Sequence, residues 1–176
     1  RKYVVEESGD RYAGASWDRR WLDQAKVAYH EVTDPQTEIE PGVFVVTDFE
    51  RETPFESDNP MFVVDQSEGP GDDGPRKVDD FRDEVSLVLD RDDGLVILVG
   101  CSHPGIVNMV TSIRRRFGKP ILGLLGGTHL IGASYERMEA ATAYLSDGTC
   151  GRLGLSHCTG KDGMSQDLLR LRHKRP

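Results

Sequence analysis

GLVILVGCSHPGIVN, residues 94–108, is the stretch that decides the fold. Leu95 to Val99 is a short, apolar, β-branched run bounded by glycines, which predicts a buried strand. Small residues then turn the chain, and IVNMVTSIRRRFG (106–118) continues as a helix, with Pro104 suited to its first turn and Gly118 to its C-terminal cap. Working outward, ILGLLGGTHL (121–130) and GRLGLSHCTG (151–160) repeat the strand and the small-residue turn. YERMEAATAYLSDG (135–148), capped by Ser134, and a segment around SQDLLRLR (165–172) supply the following helices. Strand, loop and helix three times over predict βαβ crossovers and a layered α/β domain.

His103, His129 and His157 fall just past the carboxyl ends of these three strands, and they are three of the five histidines in the chain. That edge of an open α/β sheet collects ligands, because loops converge there and helix N-termini direct free N–H groups toward it. Neutral imidazole is the commonest protein ligand of a catalytic metal. His103 and His157 are therefore expected to hold a metal. His129 completes the shell or acts catalytically by polarising a substrate oxyanion. The alternative is that each ring merely hydrogen-bonds to its own loop. Cys101 offers a thiolate, a soft donor that selects zinc, while Cys158 is given a supporting role beside His157. Cys150, without such neighbours, reads as a small buried hydrophobe. Thr128, Thr159 and Lys161 are candidates for binding a substrate phosphate or carboxylate with the N–H groups of Gly126, Gly127 and Gly160, or are ordinary loop residues. GLLGGTH does not match a dinucleotide fingerprint, and neither a P-loop nor a serine-nucleophile elbow occurs.

Upstream, VSLVL (85–89) and LVILV (95–99) flank DRDDG, whose Asp93-Gly94 predicts a hairpin. Asp83 and Glu84 precede it as a pair able to serve as base or as acceptor behind a metal ligand, or as a solvated strand edge. IEPGVFVV (39–46) reads as a Pro41-Gly42 turn followed by a strand. Ser16 could cap a helix through WDRRWLDQAKVA (17–28). Residues 65–80, rich in Gly, Pro and Asp, predict an exposed loop.

At 176 residues the chain suits a single domain with a real core. A mean hydropathy of −0.48 and the lack of any run of about twenty apolar residues predict no membrane partner. Net charge of −8 argues against nucleic acid, which selects a basic face. The basic clusters at Arg114–Arg116 and at the C-terminus have helix-end and tail explanations. Three cysteines make no disulfide framework in a chain this size and suit a reducing cytoplasm. A start at Arg1, not at methionine, is read as an interior point of a longer protein.

DEVSLVL (83–89), GLVILVGCSHPGIVN, ILGLLGGTHL and LGLSHCTG (153–160), in this order, resemble the C-terminal half of the metallo-β-lactamase superfamily. PGVFVVTDFERETPFE (41–56) extends the match. Within the superfamily the resemblance is to the dihydropterin ribofuranosyl-aminobenzene phosphate synthase branch of metal-dependent hydrolases. It implies an α/β fold of the αββα sandwich type, incomplete here, with a one- or two-metal site at one edge, usually zinc, with manganese or iron as substitutes. It places His103 and His157 at the later metal-binding positions and His129 where many relatives have a bridging aspartate. The superfamily's first metal motif, H-x-H-x-D-H, is absent, the only histidine before residue 100 being His30. The expectation is a metal-dependent hydrolase, whole only in a longer protein, in which metal-activated water attacks a phosphoester, ester or lactone-like bond. By the resemblance, its substrate is a small molecule, phosphorylated or pterin-like. A homo-oligomer is compatible with the sequence. The competing expectation is a non-catalytic binding or assembly module on a degenerate scaffold.

Overall fold

The computed structural model describes residues 2–15, 19–66, 75–161 and 163. In chain order its elements are β1 (Lys2–Val4), β2 (Arg11–Tyr12), α1 (Arg19–Gln24), β3 (Gln36–Glu40), β4 (Val43–Val46), β5 (Phe62–Asp65), β6 (Arg76–Val78), β7 (Ser86–Arg91), β8 (Gly94–Val99), α2 (Ile106–Phe117), β9 (Ile121–Gly126), α3 (Tyr135–Tyr144) and β10 (Leu153–Leu155). They fall into two compact units, Arg1–Thr33 with Asp58–Asp80, and Asp34–Ser57 with Phe81–Pro176.

The first unit holds an antiparallel sheet of order β2-β1-β5-β6. Tyr3 meets Tyr12 edge-on with ring centroids 5.7 Å apart, and Lys2 pairs with Asp79 at 2.9 Å. Within the stretch expected to be a loop, Asp65 ends β5 and Arg76–Val78 forms β6, so cross-strand pairing extends into it, while 67–74 lie outside the described residues. Ser16 and Trp17, the expected start of the first helix, also lie outside them, and α1 is shorter than its apolar spacing predicts.

The second unit carries the decisive stretch. Its sheet runs β10-β9-β8-β7-β4-β3, with β8, β9 and β10 parallel and the remaining pairs antiparallel. The Asp93-Gly94 hairpin forms with Arg91 opposite Gly94, and the Pro41-Gly42 turn joins β3 to β4. The α2 and α3 segments are the two described crossovers. The segment expected as the last helix, SQDLLRLR, lies outside the described residues.

α2 begins at Ile106, later than Pro104 suggested, with Gly105 as its N-terminal boundary. The reason lies upstream: Glu56, 3% exposed, accepts the N–H groups of Val107 at 3.0 Å and Asn108 at 2.8 Å. A carboxylate at a helix start satisfies orphan donors and faces the positive end of the helix dipole. Gly118 ends the helix in the left-handed conformation, φ 64, donating to Arg114. Ser134 caps α3 by accepting from Arg137 N–H at 3.2 Å. α2 buries Ile106, Val107, Met109, Val110 and Ile113 in a core shared with Val46, Val88, Leu95, Ile97 and Leu124 of the sheet and with Ala141 and Leu145. The other sheet face carries Leu87, Leu98 and Leu125 in cross-strand register, each more than a third exposed. The helices thus cover one face of the sheet, and the loops after its parallel strands leave from one edge. Among the described residues, no helix is long and apolar enough to cross a membrane.

Candidate metal centre at the strand ends

Three loops leave the carboxyl ends of β8, β9 and β10 side by side, because those strands are parallel neighbours. They are tied by Gly127 N–H to Gly100 O at 2.9 Å, Ser156 N–H to Gly126 O at 2.9 Å, and Ile131 N–H to Cys158 O at 3.0 Å. The Ser102 hydroxyl adds a bond to Gly127 O at 2.7 Å. Ser102, His129 and His157 have φ of 60°, 49° and 52°, a left-handed conformation costing of order 1–3 kcal/mol unless its surroundings enforce it. Such strain concentrates at ligand sites.

His103 is the best-held of the candidates. Its Nδ1 lies 2.7 Å from Glu84 Oε2, and its ring stacks on Phe81 at 4.4 Å with an interplanar angle of 6°. Burial alone would raise the Glu84 pKa. The hydrogen bond and charge of His103, with N–H groups from Ser102 and Cys101, outweigh it and hold the carboxyl below its ordinary value. An ionised carboxylate only accepts, so Nδ1 carries a proton and Nε2 is the ring nitrogen left to face a ligand. His129 packs against His103 with ring centroids 4.6 Å apart. Burial, then the neighbouring charges of His103 and Arg137, push the His129 pKa down to about 4 despite Glu84, so its ring is neutral at pH 7.

His157 is exposed and gathers with sulfur. A ligating nitrogen of His157 and the thiols of Cys101 and Cys158 all lie within 4.8 Å of one another. Cys158 Sγ donates to Cys101 O at 3.3 Å and accepts His129 N–H at 3.3 Å, which joins the two groups of histidines. The Cys101 thiol is pushed up to about 11, by burial first and then by Cys158. Two thiols and an imidazole are the donor chemistry zinc prefers, and they number one fewer than a closed tetrahedral site requires. A divalent cation fits this set.

The three expected imidazoles are therefore arranged as a His103–His129 pair beside a Cys101–His157–Cys158 cluster. Thr128 and Thr159 are 0% exposed, and their hydroxyl oxygens lie 3.1 Å apart, clasping two site loops together in the interior. Lys161 is exposed just beyond. Cys150 is buried, 7% exposed. Two contributors had little or no sequence signal: Phe81, an isolated aromatic in a polar loop, and Cys158 as more than a supporting neighbour. Glu84 could be found as an acidic residue preceding a strand that pairs with the one leading to His103. A cleft of about 690 Å³, lined by Arg91, Val96, Leu122, Leu125, Arg152 and others, includes none of these candidate residues.

The solved structure of a metal-dependent hydrolase of the β-lactamase superfamily superposes with a TM-score of 0.78 and 27% identity, covering 97% of this chain and 60% of the other. The chain belongs to the metallo-β-lactamase superfamily. The 7,8-dihydropterin-6-methyl-4-(beta-D-ribofuranosyl)-aminobenzene-5'-phosphate synthase of Methanocaldococcus jannaschii is 33% identical over 122 residues, 68% of this chain and 40% of its own length. An uncharacterised protein of the same organism is 27% identical over 162 residues, 90% of this chain and 56% of its own. No protein-family profile matches. The chain spans about half the length of the curated relatives it matches.

Proposed function

We propose that this chain carries metal-binding residues of a hydrolase acting on a phosphoester, ester or lactone-like bond of a small molecule. The observation that carries the reading is the convergence of His103, His129, His157, Cys101 and Cys158 at one strand edge, in a fold whose solved neighbour is a metal-dependent hydrolase. His157, Cys101 and Cys158 would hold the cation, with His103 as the adjoining ligand. A bound divalent cation, with zinc suited to the sulfur donors, would activate water and stabilise developing negative charge. Glu84 and Phe81 fix the His103 ring so that Nε2 is the nitrogen turned toward a ligand. Neutral His129 is suited to accept or donate a proton at the substrate. The Thr128–Thr159 clasp holds these loops in place, and Lys161 and the loop N–H groups would receive an anionic substrate group. The name of the synthase relative suggests a pterin-linked ribofuranosyl phosphate as the substrate class. The three free thiols suit a reducing cytoplasm.

The reading is tested by elemental analysis of the purified chain, followed by zinc, manganese or iron reconstitution and assay on activated phosphodiester, ester and lactone substrates. Stoichiometric metal that falls sharply in His157→Asn, a substitution that tolerates positive φ, supports it, as does metal-dependent turnover. One observation favours a second reading, a non-catalytic binding module: H-x-H-x-D-H is absent from these 176 residues. A folded chain that binds no metal and turns over none of these substrates would decide for the module.

A further inference from the structure

Cys101 and Cys158 sit on loops that leave β8 and β10, with β9 between them, and lie 57 residues apart in sequence. Their thiols nevertheless fall within 4.8 Å, and Cys158 Sγ lies 3.3 Å from Cys101 O. Gly127 is what permits this. A Cβ there would sit 2.6 Å from Cys158 Sγ and 2.9 Å from Gly100 O, so the missing side chain leaves the space the sulfur occupies above the end of β9. Both cysteines are half-buried and open to small solutes, whereas Cys150 is sealed in the core.

We propose that Cys101 and Cys158 form an intramolecular disulfide when hydrogen peroxide reaches the site. A disulfide needs an S–S distance of about 2.05 Å, so the two sulfurs, now within 4.8 Å, must move closer for the bond to form. One thiol sulfur attacks the peroxide O–O bond, forming S–OH and releasing water. The second thiol attacks that sulfur, the S–S bond forms, and hydroxide leaves with the thiol proton as a second water. Two thiols are oxidised to one disulfide and one hydrogen peroxide is reduced to two waters. The product takes both sulfurs out of the ligating cluster and draws Cys158 Sγ into a covalent bond beside the His129 N–H it now accepts. The device would therefore switch the site off reversibly. The disulfide itself needs no cation, whereas its effect on the site rests on the metal-binding reading.

The test is non-reducing peptide mapping of the full chain. Reduced, metal-stripped protein is treated with hydrogen peroxide, its remaining thiols are alkylated, and the digest is weighed by mass spectrometry. The expected result is a linked peptide pair joining Cys101 to Cys158, lighter by two hydrogens and released by dithiothreitol, with Cys150 alkylated only after unfolding. Separate alkylation of Cys101 and Cys158 after the peroxide is consumed, or linkage only between chains, would overturn the proposal. The wild-type map decides by itself, whether or not a Cys158→Ser variant folds. Metal content, measured separately on the reduced protein, reports on the hydrolase reading alone.

Discussion

Nδ1 of His103 lies 2.7 Å from Oε2 of Glu84, a carboxylate that also receives the N–H of Ser102 at 3.1 Å. One acidic side chain thus fixes both the tautomer of a candidate ligand and the turn that presents it. Because imidazole ligands are tuned by the partner of their other nitrogen, Glu84→Gln is expected to weaken divalent metal binding by about 10–100-fold. Competition against a chromophoric chelator would measure this, and unchanged affinity would remove Glu84 from the site.

The Glu84 contribution also has a pH signature. Its folded-state pKa is depressed, so its stabilisation is present above the ordinary carboxylate pKa and lost as pH falls through the lower folded value. The melting-temperature difference between wild type and Glu84→Gln should hold at neutral pH and shrink in strong acid.

His129 acts over a different window. Its pKa falls from 6.5 to about 4 on folding, so the folded chain binds fewer protons than the unfolded one between those values. Stability from the neutral ring is complete above 6.5 and declines as pH drops toward about 4. His129→Asn, which tolerates the residue's positive φ, should flatten the fall in melting temperature across that window. Melts in chelator at stepped pH would show it, and parallel curves for the two proteins would contradict the assignment.

Glu56 is the anchor of α2. Removing its carboxylate leaves the buried N–H groups of Val107 and Asn108 without their acceptor, while the Thr53 hydroxyl keeps Asn108 Oδ1 at 3.1 Å. Glu56→Ala is expected to destabilise the chain by about 2–6 kcal/mol, the sum for two N–H groups left unsatisfied in the interior. Glu56→Gln should recover part of this. Denaturant titration measures both, and a loss no larger than that of a surface substitution would show that water replaces the carboxylate.

Gly127→Ala tests the space above β9. The added methyl meets Cys158 Sγ and Gly100 O, and overpacking of this kind costs about 1–3 kcal/mol. The same variant should displace the Cys158 sulfur and lower metal affinity beyond the stability loss. Retention of full affinity would show that the sulfur position is not required.

Local chemistry made much of this molecule readable in the chain itself. Apolar runs ending in small residues marked β8, β9 and β10, Gly118 and Ser134 marked helix ends, and the histidines could be assigned to strand ends, because each signal acts over a few residues. Tertiary structure decided the rest. Glu56 reaches α2 from 51 residues away and moves its start past Pro104. The pairing of His103 with Glu84 and Phe81, and the meeting of Cys101 with His157 and Cys158, depend on strand order and on the side-chain rotations that packing selects. A linear pattern specifies which residues reach an edge. Only the folded backbone sets the few ångströms that divide a histidine pair from a sulfur-rich cluster.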